Sequence, residues 1–120
     1  MATFTKKILS GSTDGRAIKV VATSGTGTTI HTGSTTATTI DEIWLYAVNS
    51  SASSVKLTVQ WGGTSDPDDL IELTVLAEAG LVTVAPGLLL KGNATALVVR
   101  AFAATANVIT IHGFVNQITV

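Results

Sequence analysis

Few residues in this chain could do chemistry, and they are scattered. The imidazoles are His31 and His112, and there is no cysteine. Zinc is held by histidine, cysteine or carboxylate ligands at fixed spacing, so two distant histidines make a poor metal inventory. A hydrolase triad needs a serine, a histidine and a carboxylate to meet in space. No serine here sits in the Gly-x-Ser-x-Gly turn that lifts a nucleophile out of a sheet. Acidic residues cluster once, at Asp66-Pro67-Asp68-Asp69. A calcium loop places its oxygens around a glycine and closes on glutamate, and that spacing is missing. The cluster reads as a turn that Pro67 shapes and whose aspartates cap backbone amides. Gly25-Thr26-Gly27-Thr28-Thr29 has phosphate-loop composition without the lysine and following helix that such a loop needs. Asn49-Ser50-Ser51 and Asn93-Ala94-Thr95 match the glycosylation pattern, which matters only in an exported chain. The expectation is a chain with no enzymatic activity, no metal and no cofactor.

The elements that carry these residues are strands. Threonine is the commonest residue and valine is abundant, and both suit a pleated, half-buried surface. No window of a dozen residues keeps the apolar stripe of an amphipathic helix. Phe4 to Leu9 and Arg16 to Ala22 flank the turn sequence Gly11-Ser12-Thr13-Asp14-Gly15, which suggests a hairpin. Thr28 to Thr32 is a short strand, followed by Asp41 to Asn49. Val55 to Trp61 alternates most cleanly, with Val55, Leu57, Val59 and Trp61 inward and Lys56, Thr58 and Gln60 outward. Leu70 to Leu76 follows the Pro67 loop. Leu81 to Val84 and Leu88 to Leu90 read as short pieces broken by Pro86-Gly87. Ala94 to Ala103 and Val108 to Val115 join around Asn107. On the last strand His112 shares a face with Thr110 and Phe114, away from the inferred core. About 8–10 short strands at this spacing predict an all-β fold: an antiparallel, jelly-roll-like β-sandwich spanning residues 1–120 as one domain. Residues 1–7 are expected to form a flexible arm. Residues 22–39 form a Thr/Ser/Gly-rich loop region, either free at the surface or ordered on a neighbouring subunit.

Composition bounds the partners. Net charge is −1, and the seven basic residues are spread out with only Lys6-Lys7 adjacent. A protein that tracks phosphates needs a concentrated basic face, so nucleic acid is not expected. No apolar run approaches the roughly 20 residues of a membrane-spanning helix. The first residues lack the order of a signal peptide, so synthesis in the cytoplasm is expected. Yet charged residues are only 12% of the chain and hydrophobic ones 46%. A free monomer usually carries about twice that charge, which points to burial in an assembly.

One segment localises the excess. In Asp41 to Asn49, Ile43, Leu45 and Ala47 form one face and Trp44, Tyr46 and Val48 the other, and both are apolar. A solvated antiparallel strand alternates apolar with polar. Leu88-Leu89-Leu90 and Val98-Val99 show the same doubling. Such a strand is either covered twice within its own domain or buried by another chain. Three such segments in a chain of low charge favour the second.

Taken in order, these segments resemble a family. They are Lys7-Ile8-Leu9-Ser10-Gly11-Ser12 with Asp14-Gly15-Arg16 and Ile18-Lys19-Val20; Thr29-Ile30-His31-Thr32; and Asp41 to Asn49. Gln60-Trp61-Gly62-Gly63-Thr64, Asp68-Asp69-Leu70-Ile71-Glu72, Pro86-Gly87-Leu88, Val98 to Ala103 and Ile109 to Asn116 complete the series. The series is similar to small virion structural proteins of tailed bacteriophages. The resemblance implies a non-enzymatic sandwich added to the outer surface of the phage head, as a decoration or cement protein. Its partners would be the major capsid protein and further copies of itself, commonly as a homotrimer, and it would be made in the bacterial cytoplasm. In that picture Trp44, Tyr46, Val48, Leu88, Leu89 and Leu90 are candidate subunit contacts. Phe4, Lys6 and Lys7 are the candidate capsid-contacting arm. A tail, neck or fibre-associated place on the virion is an alternative. A carbohydrate-binding sandwich is another, although Phe102, Phe114 and Trp61 are all expected at or near the core.

Overall fold

Alternation of side chains builds the molecule. The computed structural model describes residues 2–120, and these form strands without a helix. In chain order they are β1 (Thr3–Ile8), β2 (Ile18–Lys19), β3 (Thr28–Thr32), β4 (Thr39–Asn49), β5 (Val55–Trp61), β6 (Leu70–Val75), β7 (Val82–Lys91), β8 (Val98–Ala103) and β9 (Ile109–Thr119). The first sheet has the order β1-β9-β4-β7, with β2 also on β9, and the second has the order β3-β8-β5-β6. Every pairing is antiparallel.

The strand order is that of a jelly roll. Consecutive strands switch sheets from β2 to β5, β5 and β6 pair within the second sheet, and the chain then returns, switching again, through β7, β8 and β9. The result is a five-strand layer on a four-strand layer, in which β2, β3, β4 and β5 are retraced by β9, β8, β7 and β6 and β1 is added on β9. One core lies between the layers. Ile43, Leu45 and Ala47 of β4, Leu57 and Val59 of β5, Val99, Ala101 and Ala103 of β8, and Ile109, Ile111 and Val115 of β9 are all fully enclosed. The accessible surface is 6282 Å². A folded monomer of this mass exposes about 6,100 Å². The chain therefore buries about as much surface as an ordinary folded monomer of its mass.

The N-terminal segment differs from expectation. Thr3 to Ile8 is not an arm: it pairs in unbroken register with Thr119 to Phe114 on β9. Met1 lies outside the described residues. All six side chains of β1 are exposed, so its composition resembles a tail. What orders it is the free edge of β9, whose amides and carbonyls need partners. The expected hairpin of β1 with β2 is also absent. Both strands lie on β9, with β2 contributing Ile18 opposite Ile111. Between them the chain drops Leu9 into the core, where it is 1% exposed, and Gly11 N–H donates to the Ile30 carbonyl at 2.9 Å.

β7 is likewise one strand, not two pieces. It accommodates Pro86-Gly87 through irregularities in its register with β4. A bulge costs least at a sheet edge, where proline removes no ladder hydrogen bond. Gly87 has a φ of 81° there. The turns anticipated at Asp14-Gly15 and Asn107 do form, with φ of 56°, 82° and 67°.

β9 contains one glycine that packing requires. Gly113 sits opposite Leu45, and a β-carbon there would run into the carbonyl oxygen of Trp44. Gly113→Ala therefore forces β9 away from β4. A loss of about 1–3 kcal/mol is expected, the usual cost of overpacking, read as a lower urea midpoint.

Candidate functional site

The chain does bring a serine, a histidine and an aspartate together. His31 of β3 and Asp41 of β4 are both buried, at 5% and 1% exposure. His31 Nε2 lies 2.8 Å from Asp41 Oδ2. Ser10 N–H donates to His31 Nδ1 at 3.0 Å, and Ser10 Oγ accepts from Thr32 N–H at 2.6 Å. Gln117 Nε2 donates to Asp41 Oδ1 at 2.9 Å.

The wiring assigns the protons. Nδ1 faces an N–H, so it is the acceptor, and Nε2 carries the hydrogen toward Asp41. A general base needs a free nitrogen lone pair aimed at the serine oxygen. Here that lone pair is taken by the serine's own backbone. The arrangement fastens four elements together: the segment after β1, β3, β4 and β9. Sequence reading placed His31 on a short strand without a partner. It missed that Asp41 shares the inward parity of Ile43 and Leu45, and an inward carboxylate demands a buried donor.

The Asp66 to Asp69 turn is also held internally. Asp69 Oδ2 accepts from Ser65 N–H at 3.0 Å, and Leu70 N–H donates to the Pro67 carbonyl at 3.2 Å. Among the described residues no group of three or more His, Asp or Glu is placed to hold a metal. His112 faces outward opposite Tyr46 and is half-buried.

The two outer faces of the sandwich are treated differently. On the second sheet, Thr58 and Gln60 were expected to meet solvent, yet each is 3% exposed. The Thr/Ser/Gly-rich segment folds back over them. Gln60 Nε2 donates to the Gly25 carbonyl at 2.9 Å, and Gln60 Oε1 accepts from Gly27 N–H at 2.9 Å. Gly27 packs so closely on Ala101 that a β-carbon would stand 2.6 Å from its backbone. One side-chain amide thus pins a loop across the sheet.

The first sheet has an apolar outer face. Registers place Trp44 beside Phe114 and Pro86, Tyr46 beside His112, and Val48 beside Thr110. Ile40 lies beside Ile118, and Ile118 beside Phe4. Leu89 sits next to Glu42, and Ile8 next to Phe114. The rings of Trp44 and Phe114 stack with centroids 5.8 Å apart and planes 9° apart. Lys6 Nζ lies 5.0 Å from the Phe114 centroid. Trp44 Nε1–H donates to Glu42 Oε1 at 2.7 Å, and Asn116 Nδ2 donates to the same oxygen at 3.1 Å. These donors, Asn116 first and the indole second, hold the Glu42 carboxyl below its ordinary value. The indole also lies over Gly87, where a β-carbon would come within 3.0 Å of the ring. The aromatic cluster is therefore fixed before anything binds it. Phe4, Ile8 and Leu89 remain 71%, 52% and 59% exposed.

The sequence candidates sort as follows. Trp44, Tyr46 and Val48 share this face, as alternation required. Phe4 and Lys6 join it from β1, so side chains expected on an arm and side chains expected at a subunit contact share one face. Lys7 points to the opposite side of β1, opposite Val115. Leu89 is on the face, Leu88 lies at the edge of the sandwich, and Leu90 is in the core at 5% exposure. The three leucines alternate in, out, in against Ile43, Glu42 and Asp41, and the irregularity at Gly87 lies before them. Phe102 and Phe114, expected near the core, are half-buried on outer faces, while Trp61 does pack against the core. Comparison with known protein families, curated proteins and solved structures found no match to this chain.

The His31–Asp41 pair makes a quantitative expectation. His31→Phe leaves the Asp41 carboxylate buried with Gln117 alone, and a broken buried pair of this kind costs about 3–5 kcal/mol. Asp41→Ala leaves a neutral N–H without an acceptor and costs about 1–3 kcal/mol. Urea unfolding of both single variants and the double variant should give that ranking, with the double falling short of the sum.

Proposed function

We propose that this chain is a non-enzymatic structural protein of a tailed-phage particle, a decoration or cement protein on the outside of the head. The observation that carries the reading is the outer face of the first sheet. It is apolar, aromatic and pre-ordered, and it stays open while the centre of the second sheet, at Thr58 and Gln60, is covered by the chain's own loop. A soluble chain gains nothing from such a face unless another surface buries it. The low charge of the whole chain points the same way.

Mechanistically, Trp44, Tyr46, Val48, Phe114 and Leu89 would lie against the joints between capsid subunits. Fixed rings lose little conformational freedom on binding, so more of the burial appears as affinity. Each contact can be weak, because a capsid offers a lattice of equivalent sites and copies of the protein act together. Holding neighbouring subunits at their joints raises the barrier to opening under the pressure of packed DNA. The fold alone does not decide function, since jelly rolls serve both capsids and lectins. A sugar platform presents ring faces to its ligand. Here the Trp44 and Phe114 rings face each other, and Lys6 covers Phe114, which favours the protein surface over the sugar. A tail or neck position would use the same face, and copy number per particle separates the two.

Leu89→Asp adds a charge to an exposed position and leaves the core untouched. Purified wild-type protein is expected to co-sediment with expanded capsids of its phage at hundreds of copies per particle. Leu89→Asp should lower that occupancy at least tenfold, the effect of about 1.4 kcal/mol per contact. Absence of wild-type binding, or a copy number of a few, would remove the head assignment.

A further inference from the structure

The two lateral edges of the sandwich are finished differently. On one edge the β1–β2 segment meets β3, and the seam is sewn shut. Leu9, Ile18, Val20 and Ile30 are buried there. Ser10 N–H, Gly11 N–H and Thr32 N–H all donate across it. On the other edge β6 and β7 end their sheets without pairing to each other. Ile71 and Leu73 of β6 and Val82 and Val84 of β7 pack on the core but are only half-buried. Leu88 is 39% exposed, and Leu76 and Leu81, between the two strands, are 60% and 63% exposed. The core reaches the surface along this edge.

Charge is sorted along the same axis. Lys6, Lys7, Arg16 and Lys19 lie on β1, on β2 or between them, four of the seven basic residues. Asp68, Asp69, Glu72 and Glu78 lie just before β6, on it or just after it, four of the eight acidic residues. Among the described residues none of those four cations has an intrachain ion pair. Of the four acids only Glu72 has one, to Lys56 at 2.6 Å. Asp14 on the basic edge and Lys91 at the end of β7 are the exceptions in sign.

We propose that the acidic, apolar β6–β7 edge of one copy receives the basic β1–β2 edge of a second copy. Phe4 and Ile8 supply apolar side chains beside the lysines, and Leu76, Leu81 and Leu88 supply the surface they cover. Both edge strands keep a free side for pairing. β6 is regular, in unbroken register with β5 from Leu70 to Val75 and without proline or bulge, and its guard is the charge of Glu72, which repels a like strand and admits a basic one. A strand added there would continue the second sheet. The alternative of β6 against its own copy is disfavoured by charge. A two-fold axis would set the Asp68 end of one strand beside the Glu78 end of the other. The head-to-tail contact puts opposite signs together instead. Contacts of this kind close into rings when the rotation permits. Opposite charge steers the encounter and fixes its direction, while the leucines supply the buried area. The inference does not rest on the virion reading: association is measured without a capsid.

Two charge-reversal variants test it. Lys7→Glu/Arg16→Glu alters the basic edge, and Asp68→Lys/Glu78→Lys alters the acidic one. Thermal melts confirm that each folds before use. In sedimentation velocity at low salt, wild-type protein is expected to run as an oligomer whose mass falls as salt is raised. Each variant alone should run as a monomer. An equimolar mixture should associate again, with one of each variant in every contact. A wild-type protein that is monomeric at all concentrations would overturn the proposal. So would a basic-edge variant that associates like wild type, or a mixture that stays monomeric.

Discussion

β4 is apolar on both faces, and the rest of the structure arranges itself around that fact. Its inward residues Ile43, Leu45 and Ala47 are completely enclosed by the second sheet. Burying side chains of the first two kinds is worth roughly 1.5–3 kcal/mol each, and the core needs nothing more from this strand. Trp44, Tyr46 and Val48 face the other way. A two-layer sandwich has no third layer to put on them. The chain partly solves the problem by packing Trp44 sideways on Phe114, Pro86 and Gly87 and setting Tyr46 and Val48 beside His112 and Thr110, which leaves all three half-buried. What it does not do is lay a loop across them.

The contrast with the second sheet gives this meaning. There Gln60 uses both ends of its amide to hold the Gly25–Gly27 segment down. The chain therefore has the means to cover a sheet and applies them on one side only. Jelly-roll connectivity contributes to the asymmetry. The segment joining β2 to β3 passes to the second sheet and is available to cap it. The segments joining β3 to β4, β4 to β5 and β8 to β9 are short and do not reach the first sheet's outer face. The same connectivity closes the edge at β1, β2 and β3 with the His31–Asp41 pair and leaves the edge at β6 and β7 open.

Much of this was legible from residue order. The alternation of Val55, Leu57, Val59 and Trp61 fixes an inward face, and Asp14-Gly15 and Asn107 mark turns because a positive φ suits those residues. The doubling in Ile43 to Val48 identifies the central strand and its spare face. Other features depend on neighbours that a linear reading does not supply. β1 looks like a tail because all its side chains are exposed, and only the length of β9 reveals that an edge awaits it. Thr58 and Gln60 are polar and outward, so their burial follows from a loop arriving from a distant segment. Leu88 to Leu90 alternate in, out and in, but Leu88 stays exposed because β7 ends its sheet, and sequence alone does not show which strand is the edge. Asp41 carried a usable signal, an acid at an inward position, whose partner His31 could not be named without knowing which strands lie across from each other.

The central proposal is that a phage particle buries the outer face of the first sheet. Hydroxyl-radical footprinting of the protein free and on its particle reads that directly, residue by residue. Trp44, Tyr46 and Phe114 should lose most of their oxidation on the particle, while Phe102 on the covered second sheet keeps its own. Equal oxidation of Trp44 in the two states, or protection confined to Phe102, would contradict it.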